Sequence, residues 1–408
     1  MDVASFVAGN RGRPTLVDGP NFSGRSALLR GWTQECAKQG KPAMYVGPSV
    51  HQAISSLVPT VRSELQLHFA GTPNAARLLD LAESMGLGRC MDQSPFSLSG
   101  GQQVILAVLC KLGLKPALLG IDGAIEELDP SNGSRLIEAL GSPLAEETAT
   151  MVTLNGYAED RTVDFSARMQ ASDLVSYESA QAPPSFRAVD FKFTGPKTTG
   201  LLEAEGITFS YTPDVPVLQG LSFRLHPGEV FALEGRNGAG KSTLARILVG
   251  VLPLRHGRLA FGGSDLNPWK APGKIAVMHM QNPDVQLFAD TISAELFDLA
   301  PDSRLAAAAL AGVSADSTEH PFDLPFVLRK RLTFSVVAHL SRPWFIFDEP
   351  TLGQDAATCD EMAAVIRRIA DGGAGVIVIS HSPEFVRRIK AQRLRLENGR
   401  IKMATTTN

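Results

Sequence analysis

The chain has 408 residues, 44% of them hydrophobic and 20% charged, and a net charge of −3, a globular balance long enough for two domains; no basic excess directs it to nucleic acid. Four scattered cysteines (Cys36, Cys90, Cys110, Cys359) lack metal-type spacing and point to a reduced cytosolic compartment, not a disulfide framework. The N-terminus lacks a signal-peptide layout. The most apolar stretch, 104–121, is broken by Lys111, Lys115 and Pro116, which predicts a buried helix and strand in a chain soluble by itself.

In chain order, a short strand is expected over Thr15–Asp18, followed by Gly19-Pro-Asn-Phe-Ser-Gly-Arg-Ser26 and a helical run from Ala27. Residues 19–26 keep the spacing of a phosphate-binding loop but place Arg25 where such loops carry lysine, with Gly24 before it and Ser26 after it. Leu98-Ser99-Gly100-Gly101-Gln102 then opens an apolar helix, with Ser99 suited to cap its N-terminus and the glycines to close backbone approach. A strand over 117–122 ends on Asp122, Leu128-Asp129-Pro130 follows, and a strand over 151–155 ends on Asn155.

The second half repeats this layout. Asp122 plus 226 is Asp348, Asp129 plus 226 is Asp355, and Asn155 plus 226 is His381. The two loops are 216 apart (Gly19 to Gly235), so the second copy has ten more residues between loop and signature region. Such a long repeat is a duplicated domain. The expected boundaries are 1–178 for the first copy, 179–200 for a Pro- and Ala-rich linker, and 201–408 for the second copy, which opens on the alternating strand 201–211. Its loop, Gly235-Arg-Asn237-Gly238-Ala-Gly240-Lys241-Ser242-Thr243, matches the phosphate-loop pattern fully and lies between an expected strand, 230–234, and a helix from Leu244. The glycines let backbone N–H groups close around phosphates, and the helix dipole favours their charge. Lys241 would reach the β- and γ-phosphates and Ser242 would ligate Mg²⁺.

These motifs, in this order, resemble the ABC-type ATPases, as two nucleotide-binding domains fused in one chain over nearly its whole length. The resemblance implies an α/β fold of two tandem P-loop NTPase domains, each a mainly parallel sheet with flanking helices and a helical subdomain, binding ATP with Mg²⁺. It implies further that Asp348 and Gln281 contact the metal with Ser242. Glu349 is the implied general base for water, His381 senses the γ-phosphate, and Tyr211, thirty residues before Lys241, stacks on adenine. The family's head-to-tail sandwich implies that this loop works with Ser99, Gly100, Gly101 and Gln102 of the first copy.

The other site departs from the family at each step. Arg25 replaces the lysine, Gly123 stands where the base belongs, and Asn155 replaces the histidine. Gln52 is out of register for the metal-contacting glutamine, and only 24 residues precede Arg25, too few for an adenine-stacking strand. Its partner segment, Leu324-Pro-Phe-Val-Leu328, has neither serine nor glycines. Little or no hydrolysis is expected there, and nucleotide binding is left open.

The run 281–288, then Thr291–Leu296, resembles the segment by which energy-coupling factor importer ATPases dock a membrane subunit; Asp323-Leu324 with Arg329–Arg331, and Pro350–Asp355, are also similar to that group. That implies a transmembrane coupling subunit, a small membrane substrate-binding subunit, uptake of vitamins or transition metals such as cobalt or nickel, and a peripheral place on the cytoplasmic face of the cell membrane. Two alternatives stay open: the ATPase of another ABC transporter, and a soluble tandem ABC protein of translation or DNA repair.

Overall fold

Runs such as Leu118–Asp122, Trp344–Asp348 and Gly375–Ile379 are apolar almost throughout and buried at every position, the pattern of strands covered on both faces of a parallel sheet. The computed structural model describes residues 2–55, 57–156, 165, 167–170, 186–188, 191–211 and 215–403. They fall into two units, Met1–Ala180 and Gln181–Asn408. The junction expected at 179–184 lies outside the described residues.

In the first unit, helix α1 (Val3–Gly9) precedes strand β1 (Pro14–Asp18) and helix α2 (Arg25–Lys38). Strand β2 (Ala43–Val46) leads to helices α3 (Val61–Phe69), α4 (Ala75–Ala82) and α5 (Gly100–Gly113). Strand β3 (Leu118–Asp122), helix α6 (Pro130–Leu140) and strands β4 (Ala149–Thr153) and β5 (Ala167–Gln170) complete it. The strands form one sheet in the order β2-β3-β4-β1-β5, every pairing parallel. Helix α5 is buried on nearly all sides because it packs against α3 and α4 as well as against β2 and β3, which explains why its sequence is apolar all round.

The second unit opens with an antiparallel sheet in the order β10-β9-β6-β7, built from β6 (Leu202–Ser210), β7 (Pro216–Leu225), β9 (His256–Phe261) and β10 (Ser264–Asp265). Strand β8 (Val230–Glu234) and helix α7 (Lys241–Leu248) frame the phosphate loop. After β11 (Ala276–His279), the short helix α8 (Ile292–Glu295) and helices α9 (Pro301–Ala311) and α10 (Phe326–Ala338) form a helical part with its own apolar core around Leu296, Ala307 and Leu332. Strand β12 (Trp344–Asp348), helix α11 (Ala356–Asp371), strand β13 (Gly375–Ile379), helix α12 (Pro383–Arg388) and strands β14 (Gln392–Glu397) and β15 (Arg400–Met403) follow. The main sheet runs β11-β12-β13-β8-β14-β15, parallel except for the last pair.

The stretch expected as a linker belongs, from Phe186 on, to the packing of the second unit. Phe186 meets the Phe334 ring edge-on at 5.7 Å, Phe191 meets His339 at 5.1 Å and Phe193 meets Phe345 at 5.7 Å. The Arg368 guanidinium donates to the carbonyls of Ala188 and Phe191.

Candidate active site

In the parallel sheet of the second unit, the loop between β8 and α7 leaves the carboxyl end of a central strand, where open α/β sheets bind ligands. Gly235 (φ 152°) and Gly240 (φ 101°) hold conformations that suit glycine, and both are crowded. A Cβ at Gly235 would lie 2.4 Å from the Leu396 carbonyl oxygen, and one at Gly240 2.8 Å from Leu218. Any other residue would push the loop open. Buried Lys241 folds its ammonium back onto the loop, donating to the carbonyls of Gly235 (2.6 Å) and Arg236 (3.2 Å). Thr243 Oγ1 lies 3.2 Å from the hydroxyl of Tyr211, which stands just past β6 and is 53% exposed.

Three sequence-predicted groups, Asp348, Glu349 and His381, gather at this loop. Ser242 donates its hydroxyl to Asp348 Oδ2 at 2.9 Å. Glu349 follows directly and sits at φ 45°, a left-handed backbone that costs a side-chain-bearing residue on the order of 1 kcal/mol. Its backbone N–H donates to the Ile379 carbonyl, and its carboxylate accepts the N–H of His381 at 3.3 Å. The His381 ring reaches Asn237 Oδ1 at 3.0 Å and stands 3.6 Å from Glu349 Oε1. Gln281 lies two residues past the end of β11, whose His279 pairs with Phe347 of β12.

Electrostatics set these carboxyls apart from surface ones. Burial, with the neighbouring Glu349 charge, pushes Asp348 up to about 6 even though the Ser242 hydroxyl pulls the other way. Burial likewise raises Glu349 to about 7, opposed by Lys241, the His381 amide and Lys330. Glu349 Oε1 is buried without a hydrogen-bond partner among the described residues. A buried pair of carboxyls, one oxygen unpartnered, beside a serine hydroxyl is the oxygen-donor set that a hard divalent cation and its water take. The residues present therefore fit Mg²⁺.

The first unit places its counterparts differently. Gly24 keeps the left-handed turn (φ 88°), but Arg25 is buried and spends its guanidinium internally, on the Leu154 carbonyl (2.7 Å), Asn21 Oδ1 (3.2 Å) and Asn155 Oδ1. Asn155 donates its side-chain and backbone N–H groups to Glu126. Asp122 accepts the Tyr45 hydroxyl on one oxygen (2.6 Å) and Thr153 Oγ1 on the other (2.7 Å). Burial and the adjacent Asp122 drive the Tyr45 phenol far above its ordinary range, so it stays a donor. Sequence reading missed Tyr45, Thr153 and Glu126; the only signal is Gly120, where a Cβ would lie 3.4 Å from the Tyr45 ring. Ser26 begins helix α2 beside Arg25. Elsewhere in the unit, Ser99 precedes α5, and its N–H and hydroxyl both bond Gln102 Oε1 at 3.1 Å. Ser99 is exposed and Gly100 half-buried, while Gly101 is buried.

Residues 218–352, inside the second unit, match the family model described as ABC transporter. A Methanosarcina mazei protein named as an ABC transporter ATP-binding protein is 26% identical over 360 residues, covering 82% of this chain and 71% of its own length. One of Treponema denticola with the same name is 27% identical over 359 residues, covering 80% and 72%. A solved archaeal ribosome recycling factor, aABCE1, in complex with a ribosomal stalk protein, covers 96% of this chain and 85% of its own at a TM-score of 0.61 and 15% identity, a likeness of fold alone. The fold is that of two ABC ATPase-like domains in tandem, and the second carries the sequence of the ABC transporter family model and hydrolyses ATP.

Proposed function

We propose that this chain is the ATP-hydrolysing subunit of an energy-coupling factor type importer, for vitamins or transition metals, with one working site and one degenerate site. Its partners are a transmembrane coupling subunit and a small membrane substrate-binding subunit, which hold it peripherally at the cytoplasmic face. Among the described residues no helix is long and apolar enough to cross a membrane, so contact with the bilayer runs through those partners.

One observation carries the docking part. Phe288 is 85% exposed and Val285 53%, on a segment that its own hydrogen bonds hold rigid. Gln286 accepts the Met280 N–H (2.6 Å) and donates to the Met278 carbonyl (2.8 Å), and Glu295 Oε1 accepts the N–H groups of Phe288 and Ala289. Phe297 is also exposed, with Arg304 over its ring. A fixed, solvent-facing phenylalanine just after the metal-side glutamine suits a partner helix whose contact is felt at the site.

In the reaction, Lys241 and the loop N–H groups would bind the β- and γ-phosphates, and Tyr211 would stack on the base. Ser242, Asp348 and Gln281 would hold Mg²⁺, which neutralises charge on the phosphates when bound. Glu349, in its ionised form, takes a proton from the attacking water, and His381 orients that carboxylate and reads the phosphate.

The test is a tagged pull-down from detergent-solubilised membranes for the wild type and Phe288→Asp. A multi-span subunit with a small membrane partner, lost in the variant while basal ATPase is kept, is the expected result. Recovery of ribosomes or DNA-associated proteins with no membrane subunit would move the chain to the soluble alternative. A multi-span partner without the small subunit would make it the ATPase of another transporter.

A further inference from the structure

Helix α10 carries three consecutive basic residues, and each ties a different segment. Arg329 pairs with Asp284 at 2.8 Å and donates to the carbonyls of Phe322 and Leu324. Arg331, 3% exposed, donates to Gln354 Oε1 (3.0 Å) and Thr358 Oγ1 (2.8 Å). Between them Lys330 is fully buried, and its ammonium donates to the backbone carbonyl of Gln281 at 2.6 Å. Taking an ammonium out of water is costly unless it is well compensated.

What surrounds Lys330 argues against a purely space-filling role. His279, at the end of β11, is fully buried against Phe334 and Phe347. The carbonyl that Lys330 grips belongs to the glutamine that leaves the sheet beside the β12 end, where the two carboxyls stand.

We propose that Lys330 is a positioning residue for ATP hydrolysis: its buried ammonium fixes the backbone of Gln281, so that the segment bearing the metal-side amide keeps its place at the Ser242–Asp348 pair. The same helix begins at Phe326, within the Leu324–Leu328 run. This rests on the reading of Gln281 and Glu349 as the hydrolytic site.

The experiment uses the full chain and a double-mutant cycle of Lys330→Met with Gln281→Ala. ATP affinity is measured by equilibrium binding, and kcat, KM and the Mg²⁺ half-saturation by steady-state hydrolysis. Lys330→Met is expected to keep ATP affinity within about threefold, lower kcat roughly tenfold or more and raise the Mg²⁺ half-saturation. In the Gln281→Ala background it should add little, because the two act as a unit. Lys330→Gln, which retains a donor for the carbonyl without the charge, should recover part of kcat. Additive losses in the cycle, or a fall in ATP affinity matching the fall in kcat, would overturn the proposal. If Lys330→Met fails to fold, the cycle is run with Lys330→Gln; failure of both to fold makes Lys330 structural and ends the proposal. Glu349→Gln is the control: if it leaves turnover intact, the reading of the site is wrong, independently of Lys330.

Discussion

The two phosphate loops share a backbone and differ in what the side chains do with it. Gly19 and Gly235 have φ of 146° and 152°, and Gly24 and Gly240 have 88° and 101°. Even the third left-handed position is kept, by Gly238 (79°) in one and by Phe22 (63°) in the other, where a bulky side chain bears the strain. In the second loop Asn237 contacts the His381 ring directly. In the first, Asn21 and Asn155 are joined through the guanidinium of Arg25, so the group that should meet a phosphate is satisfied by protein atoms. The comparison teaches that one loop backbone can carry two side-chain arrangements: Lys241 bonds carbonyls of its own loop, while Arg25 ties its loop to Leu154 and Asn155 beyond β4.

The residue after the strand-end aspartate sharpens this. Gly123 (φ 67°) and Glu349 (φ 45°) occupy the same left-handed turn, and both N–H groups bond the neighbouring strand, at Thr153 and Ile379. Glycine takes the turn without strain; glutamate takes it with strain and supplies a buried carboxylate. In the proposed reading Gly123 offers no carboxylate, and Glu349 is the one base. Glu349→Gln is therefore expected to cut steady-state ATP hydrolysis by about 10²–10⁴. A residual near half of wild type would mean that both sites turn over, and the contrast between the units would fail.

The same carboxyl makes the nucleotide-free second unit pH-sensitive in an unusual direction. Glu349 rises from 4.5 to about 7 and Asp348 from 3.8 to about 6 on folding. A group whose folded value is raised stabilises most below its unfolded value and loses that contribution as pH climbs through the folded one. Stability should thus decline between pH 4.5 and about 7, by on the order of 3 kcal/mol for Glu349 alone. Denaturant titrations of wild type and Glu349→Gln across that window should diverge as pH rises, with the variant the more stable at the alkaline end. Parallel curves would mean that the carboxyl is not held in a desolvated setting.

Sequence legibility followed the same division. The strands and the glycine loop were readable from apolar runs and loop spacing, and Asp348 and His381 stand 226 residues after Asp122 and Asn155; the role expected of Glu349 came from the family resemblance. The replacement network was not, because Tyr45, Glu126 and Thr153 meet Asp122 and Asn155 only through strand register and a loop crossing, with no local pattern. Lys330 was hidden for a related reason: a basic residue between two others reads as solvated, and only the turn of α10 buries it. Arg25 tests the hidden network directly. Arg25→Met keeps the volume but leaves Asn155 Oδ1 and the Leu154 carbonyl without their donor. A loss of about 2–3 kcal/mol in the stability of the first unit is expected, measured by chemical denaturation. An unchanged midpoint would mean that the guanidinium is not satisfied internally.

The smallest effect isolates the seal on Asp122. Tyr45→Phe removes one hydroxyl and nothing else, leaving Asp122 Oδ2 without the donor that stands 2.6 Å away. Thr153 still holds the other oxygen, so the aspartate stays in place and the cost is one hydrogen bond to a buried acceptor, about 1–2 kcal/mol. The same substitution uncovers the one carboxylate in the first unit that corresponds to the metal-side Asp348. If the degenerate site is closed by its own side chains, Tyr45→Phe with Arg25 intact should lower the first unit's denaturation midpoint and leave ATP turnover at the wild-type rate. Restored turnover in a Glu349→Gln background would instead mean that the hydroxyl alone silences the first loop, and the contribution assigned to Arg25 and Gly123 would have to be withdrawn.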